Sequence, residues 1–235
     1  MPRTILTDET WSKLRTMLLD ARVYDKPGLR QTVEGMLFRM RMGCPWRDIP
    51  SEFGNWNSIF KRFNEWSRNE KIFLVFKLLS QDPDLEWEFI DGTVVKAHQH
   101  SSGAAKASQE IDHAIGRSVA GLTSKLHLAV DSMGLPIDVE KLPRSDFVIA
   151  DKGYDSEDFR EQIRERKSTP IIPRKRNSKT GNADVDWDLY KLRHLVENAI
   201  ARLKHFRGIA TRFDKLKRND VGTVALACAF IWLTL

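Results

Sequence analysis

A polar break at residues 81–86, QDPDLE, separates two different hydrophobic patterns, and this change of period constrains the fold more than any other feature. Before the break, apolar residues recur at helical spacing. After it come short runs with strand character, EFIDGTVV, KLHLAVD, LPIDVE and TPIIP. DFVIAD has an unbroken apolar stretch, as expected for a strand buried on both faces. A chain of 235 residues is long enough for one large domain or two smaller ones. The pattern predicts a helical segment over residues 1–80 followed by an α/β domain over residues 81–235.

Within the helical segment, Thr7 is the candidate N-cap of TDETWSKLRTMLL, which lines up Trp11, Leu14, Met17 and Leu18. LRQTVEGMLFRMRMG runs to a plausible stop at Gly43. CPWRDIPSEFG, with Pro45 and Pro50, is a turn or short helical piece. NWNSIFKRFNEWSRNE then puts Trp56, Ile59, Phe60, Phe63 and Trp66 on one side, with Lys61, Arg62 and Arg68 elsewhere. Helix, turn and basic amphipathic helix is the outline of a helix-turn-helix, although any small helical bundle shares it. Lys61 and Arg62 are the candidates for reading DNA.

The net charge of +6 is unevenly placed. Residues 160–218 hold 17 Lys/Arg against 7 Asp/Glu, a net of +10, which leaves −4 for the remainder. Such asymmetry suits a polyanionic partner, with Arg174, Lys175 and Arg176 as the densest cluster, or else a merely basic surface. Cys44 and Cys228 lie far apart and define neither a disulfide framework nor a metal site, which points to a reducing, intracellular compartment. No signal peptide is visible, and the apolar run VALACAFIWLTL is too short to span a bilayer. It reads as a helix buried at the back of the core, so no membrane partner is expected.

YKLRHLVENAIARLK, residues 190–204, reads as one helix with a buried stripe of Leu192, Leu195, Val196, Ala199, Leu203 and, just beyond, Phe206. On its other side Tyr190, Arg193, Glu197 and Lys204 fall within about 60° of one another. A solvated face with an Arg193–Glu197 pair is the plain reading. Two further carboxylates give another. Asp91 sits inside EFIDGTVV, where Asp-Gly is also a strong hairpin signal. Asp151 ends DFVIAD, a strand end where ligands bind in α/β sheets and where a turn or helix cap is equally at home. Phosphodiester chemistry with two Mg²⁺ ions needs two or three convergent carboxylates, and Asp91, Asp151 and Glu197 would supply them. Asp131, Asp138 and Asp155 are expected to lie outside that group.

The tetrad Tyr190, Arg193, Glu197 and Lys204 resembles the signature of bacterial insertion-sequence DDE transposases. DGTVVKAHQHSSGA, ADKGYDSEDFREQI, PIIPRKRNSKTGN, RHLVENAIARLKHFRGIATRFDK and GMLFRMRMGCPWRDIPSEFG are similar to the insertion-sequence-five group. The resemblance implies an RNase H-like mixed sheet with flanking helices behind a helical, helix-turn-helix-like DNA-binding segment. It implies Asp91, Asp151 and Glu197 as catalytic ligands of Mg²⁺ or Mn²⁺, with Tyr190, Arg193 and Lys204 beside the transposon end. The expected partners are transposon-end and target DNA and a second copy of the chain assembled on that DNA, in the bacterial cytoplasm and nucleoid. The alternatives are a weakened or inactive transposase-derived DNA-binding protein and a helix-turn-helix regulator, the latter having no need of three convergent carboxylates.

One departure bears on activity. Only KLPRS separates LPIDVE from DFVIAD, whereas a parallel crossover normally needs a dozen or more residues. Five residues span at most about 18 Å. The crossover helix between the third and fourth strands is therefore expected to be missing and LPIDVE to be shortened, with the strand of Asp151 still pairing beside that of Asp91.

Overall fold

The computed structural model describes residues 4–102, 113–119, 121–138 and 144–235. The chain forms two compact units, Met1–Gln81 with Val94–Lys125 and Leu203–Leu235, and Asp82–Thr93 with Leu126–Arg202.

The first unit contains α1 (Asp8–Asp20), α2 (Leu29–Met42), α3 (Trp56–Arg68) and α4 (Lys71–Leu79). Thr7 caps α1, its hydroxyl accepting the Thr10 N–H at 3.2 Å, and Leu14 and Leu18 are buried. Glu34 of α2 is buried and accepts the N–H groups of Ile5 and Leu6, which fixes the chain entering α1. α2 ends at Gly43 in the left-handed conformation, φ 64°. Two 3-10 turns, Trp46–Asp48 and Ser51–Phe53, fill the connection to α3. This connection, residues 43–55, is longer than the three or four residues of a tight helix-turn-helix.

On α3, Ile59, Phe63 and Trp66 are buried, while Trp56 and Phe60 of the same stripe stay half-exposed. The C-terminal apolar run forms α10 (Lys217–Leu233), which packs on α3 and α4 and is buried along most of its length. Close approach is built in: a Cβ on Gly222 would lie 2.4 Å from Ser67 Oγ. α9 (Arg207–Ala210) packs as closely on α2, where a Cβ on Gly208 would lie 2.8 Å from the Met40 carbonyl oxygen. Among the described residues no helix is long and apolar enough to cross a membrane.

The remaining elements are strands and short helices. They are β1 (Trp87–Ala97), α5 (Gln99–Ser102), β2 (Gly116–Ser118), β3 (Gly121–Val130), β4 (Pro136–Ile137) and β5 (Phe147–Ala150), then α6 (Glu157–Glu165), β6 (Thr169–Ile171), α7 (Trp187–Lys191), α8 (His194–Lys204) and β7 (Thr211–Arg212). The sheet order is β2-β3-β1-β5-β6, with β4 beside β3 and β7 beside β1. β5 runs parallel to β1 and β6 parallel to β5, whereas β2 and β4 are antiparallel to β3, so the sheet is mixed and the fold mixed α/β. HQHSSGAAKASQE begins with α5, and its residues 103–110 lie outside the described residues.

In the second unit, Val148, Ile149 and Ala150 of β5 are fully buried between β1 and β6. Ile90, Ala129, Ile137, Ile163 and Ile172 complete this core. Among the described residues LPIDVE contributes the two residues of β4, held to β3 by a turn around Asp131; its last two residues lie outside them. That buried carboxylate accepts the N–H groups of Asp84, Met133 and Leu135, a structural task. Among the described residues no helix joins β4 to β5; residues 139–143, which include most of KLPRS, lie outside them.

Glu88 on β1 is completely buried, and nothing in the alternation of EFIDGTVV foretells it. Burial pushes its carboxyl up to about 7, outweighing Arg166 at 3.7 Å and the Ser145 hydroxyl at 3.3 Å. An unfolded glutamate titrates near 4.5, so between there and about 7 the folded chain keeps a proton that the unfolded chain has released. Stability should therefore fall as pH rises through this window, by on the order of 3 kcal/mol at most. Glu88→Gln should flatten the dependence and be the more stable protein at pH 8, as measured by urea midpoints at pH 5 and 8. An unchanged slope in the variant would show that another group sets it.

Candidate active site

β1 carries Asp91 through the middle of an extended strand. The Asp-Gly pair makes no hairpin, because β1 pairs with β5 as far as Ile90 and with β7 from Lys96. The Asp91 carboxylate accepts the Gly92 N–H at 2.7 Å and the Arg193 Nη1–H at 2.9 Å. In the parallel ladder Ile90 is opposite Ala150. Asp91, still on β1, and Asp151, just past the end of β5, are thus the next residues after a pair on neighbouring strands, whose spacing is about 4.8 Å. Asp151 also opens a 3-10 turn, Lys152–Tyr154, and accepts the Gly153 N–H at 2.8 Å, so it does act as a turn cap.

The segment after β6 supplies the third carboxylate, but not from a single helix. α7 stops at Lys191, and bonds of the i→i−3 type at Leu192, Arg193, Leu195 and Val196 tighten the turn before α8. The expected continuous helix over 190–204 is therefore broken, and the four-residue ridge is split. Tyr190 belongs to α7, Arg193 to the turn, and Glu197 and Lys204 to one face of α8. The turn lets Arg193 bridge two carboxylates, Asp91 through Nη1 and Glu197 through Nη2. Its guanidinium also lies 5.9 Å from the Tyr190 ring centre, and Tyr190 meets Trp187 edge-on at 5.7 Å. Of the expected stripe, Val196, Ala199 and Leu203 are buried, together with Ile200.

Two neighbours were not anticipated. Tyr154 is half-buried against the aspartates; its hydroxyl is pushed far up by burial first and then by the charges of Asp91 and Asp151. It shares a hydrogen bond of 2.6 Å with His127 Nδ1 on β3. The spacing Asp-x2-Tyr in ADKGYD was the only available signal for Tyr154, and His127 had none.

The three candidate carboxylates are oxygen donors, which suit a hard divalent cation such as Mg²⁺ or Mn²⁺, and the Tyr154 hydroxyl and His127 imidazole lie beside them. One guanidinium now satisfies Asp91 and Glu197, and among the described residues no three Asp, Glu, His or Cys side chains stand close enough to hold a metal ion. A divalent ion fits these residues only if Arg193 withdraws.

The basic tract is less uniform than its sequence. Arg174 forks onto Asp184 and reaches the Gly181 carbonyl oxygen at 3.0 Å. Lys175 donates through Nζ to the Asp155 carbonyl oxygen at 3.1 Å, while Arg176 is exposed. Arg160 and Arg212 are buried and serve the fold, the first on Asp155 and the Ile172 carbonyl oxygen, the second on Ser124 and the Ala114 carbonyl oxygen. On α3, Lys61 is exposed and Arg62 donates to Thr32 Oγ1 at 3.2 Å.

Known proteins resemble the chain in two stretches. Residues 6–75 match the family described as "Putative transposase of IS4/5 family", and residues 138–232 match "Transposase DDE domain". Asp151 and Glu197 fall within the second match; Asp91 lies outside both. The "Putative transposase for insertion sequence element IS6501" of Brucella ovis is 33% identical over 129 residues, covering 48% of this chain and 99% of that protein. The corresponding protein of element IS402 from Burkholderia cepacia is 38% identical over 95 residues, 40% of this chain and 42% of that one. An uncharacterized protein of Sinorhizobium fredii is 30% identical over 105 residues, 43% and 84% of the two chains. No solved structure matches the chain. The chain belongs to the DDE transposases of insertion sequences.

Proposed function

We propose that this protein cuts and rejoins DNA at the ends of an insertion sequence, with Asp91, Asp151 and Glu197 as its catalytic carboxylates. What supports the reading most is the adjacency of Asp91 and Asp151 at the ends of their pairing on β1 and β5, with Arg193 joining Asp91 to Glu197. The three carboxylates would hold Mg²⁺ or Mn²⁺, which when bound activates the attacking oxygen and stabilises the leaving one. Arg193, once drawn off its carboxylates, becomes a cation for the phosphate diester, and Tyr190 offers a ring and a hydroxyl beside it. Lys204, further along α8, neutralises backbone phosphate. An RNase H-like architecture accords with β5 and β6 parallel to β1 and with the β3–β4 hairpin.

The helical segment, residues 1–80, would provide end recognition through Lys61 and Arg62 of α3, and residues 81–235 the chemistry. Arg176 and Lys175 contribute sequence-independent affinity, with Arg174 holding their segment to Asp184. Two copies would assemble on paired ends, within the bacterial cytoplasm and nucleoid. The binding roles are tested by salt titrations on end and random duplexes. Arg176→Gln should weaken both alike and flatten the log–log salt slope by roughly 0.9 for a lost phosphate contact. Lys61→Gln should reduce the preference for the end. Uniform weakening by both variants would refute the division of labour.

A further inference from the structure

A cleft of about 590 Å³ in the first unit is unused by the active site. Its walls include Trp46, Trp56, Phe60 and Phe213, all half-exposed, although Ile59 and Phe63 on the α3 stripe of Trp56 and Phe60 are buried. The size lies within the range of small-ligand pockets. Arg39 stacks on Trp46 with its guanidinium 4.3 Å from the ring centre, and Arg47 lies 5.4 Å from that of Trp56.

Two atoms of the lining residues are left over. Arg39 Nε and Asn219 Oδ1 belong to side chains whose residues are each 5% exposed, and neither atom has a hydrogen-bond partner among the described residues. One is a donor and the other an acceptor, and burying either without a partner is costly. At the mouth, Arg47 and Lys215 are exposed cations, and Lys61 is exposed on α3 beside Phe60.

A flat ring joined to an anion suits the half-exposed aromatic walls and the exposed cations together, and it reaches the buried Arg39 Nε and Asn219 Oδ1 only if the walls shift. We propose that the cleft takes an unstacked nucleotide of a DNA strand, its base among Trp46, Trp56 and Phe60 and its phosphate near Arg47 and Lys215. This assignment rests on the reading that the chain acts on DNA, and it adds a second contact remote in sequence from the carboxylates.

The test compares the full chain's affinity for three probes: a paired duplex, the same duplex with a three-nucleotide single-stranded overhang carrying 2-aminopurine, and a free mononucleotide. The overhang should bind about tenfold tighter than the paired duplex and quench tryptophan fluorescence. Trp56→Leu should abolish that preference without changing duplex affinity. Arg47→Gln, at an exposed position, should reduce the preference several-fold even if Trp56→Leu does not fold. Equal affinity for paired and overhanging DNA, or a preference that survives both variants, would overturn the assignment while leaving the transposase reading intact. Quenching by the mononucleotide as strong as by the overhang would overturn the DNA source. Failure to bind any DNA would overturn the reading beneath it, and this assignment with it.

Discussion

Replacing Glu197 by glutamine should lower metal-dependent strand cleavage by about 10³-fold, the scale on which removal of one essential electrostatic group acts. The side chain is 51% exposed and its one described partner is Arg193, so the exchange removes a charge with little structural cost. DNA affinity should stay within about twofold, because the loss of a carboxylate takes away no phosphate contact. Asp91→Asn and Asp151→Asn should behave alike, whereas Glu157→Gln, on the exposed start of α6, should not. Single-turnover cleavage of a labelled end measures the effect. Residual activity within tenfold of the parent would remove Glu197 from the proposed centre.

The largest expected loss of stability comes from Asp214→Asn. Arg39 and Asp214 form a buried fork, 3.0 and 3.2 Å, with side chains only 6% and 7% exposed, and Asp214 also accepts the Thr223 hydroxyl. Asparagine leaves the Arg39 charge buried without this counter-ion, at a cost of about 3–5 kcal/mol. Asp220 does not replace the fork, because its carboxylate pairs with Arg212 at 3.5 Å. The double variant Arg39→Met with Asp214→Leu should recover most of the loss, as apolar replacement of both partners removes the desolvation penalty. Urea unfolding at pH 7 reads both values. If the single variant loses less than about 1 kcal/mol, the pair is not a buried charge pair in solution.

Local signals in the sequence carried much of this fold. Thr7 as a cap and Gly43 as a left-handed stop each act through their own few residues, and each is legible for that reason. The unbroken apolar run of DFVIAD likewise announced a strand with neighbours on both sides. Tertiary pairing overrode other local signals. Asp91–Gly92 has the composition of a hairpin turn, yet β1 is held extended by β5 before it and β7 after it.

Helical periodicity suggested one helix over 190–204 because it counts side chains and not backbone bonds. The i→i−3 bonds at Leu192 and Arg193 are invisible to it, and they are what bring Arg193 onto Asp91. Charge counting does not separate surface cations from Arg160, Arg174 and Arg212, which carboxylates, carbonyl oxygens and a hydroxyl engage. Position on strand and helix singled out Asp91, Asp151 and Glu197 as candidates, and the resemblance gave them a shared role. Tyr154 and His127 meet beside them because strands distant in sequence converge.

The most direct test uses a labelled duplex carrying the terminal sequence of the insertion element, purified protein, and Mg²⁺ or Mn²⁺. The nicked strand is mapped, and joining to a second duplex is followed. The account predicts a strand-specific break that leaves a 3′-hydroxyl at the element's end, then transfer of that end, with both steps lost in Asp91→Asn, Asp151→Asn and Glu197→Gln. Specific binding of the end with no break under any divalent ion, or cleavage that survives all three substitutions, would contradict it.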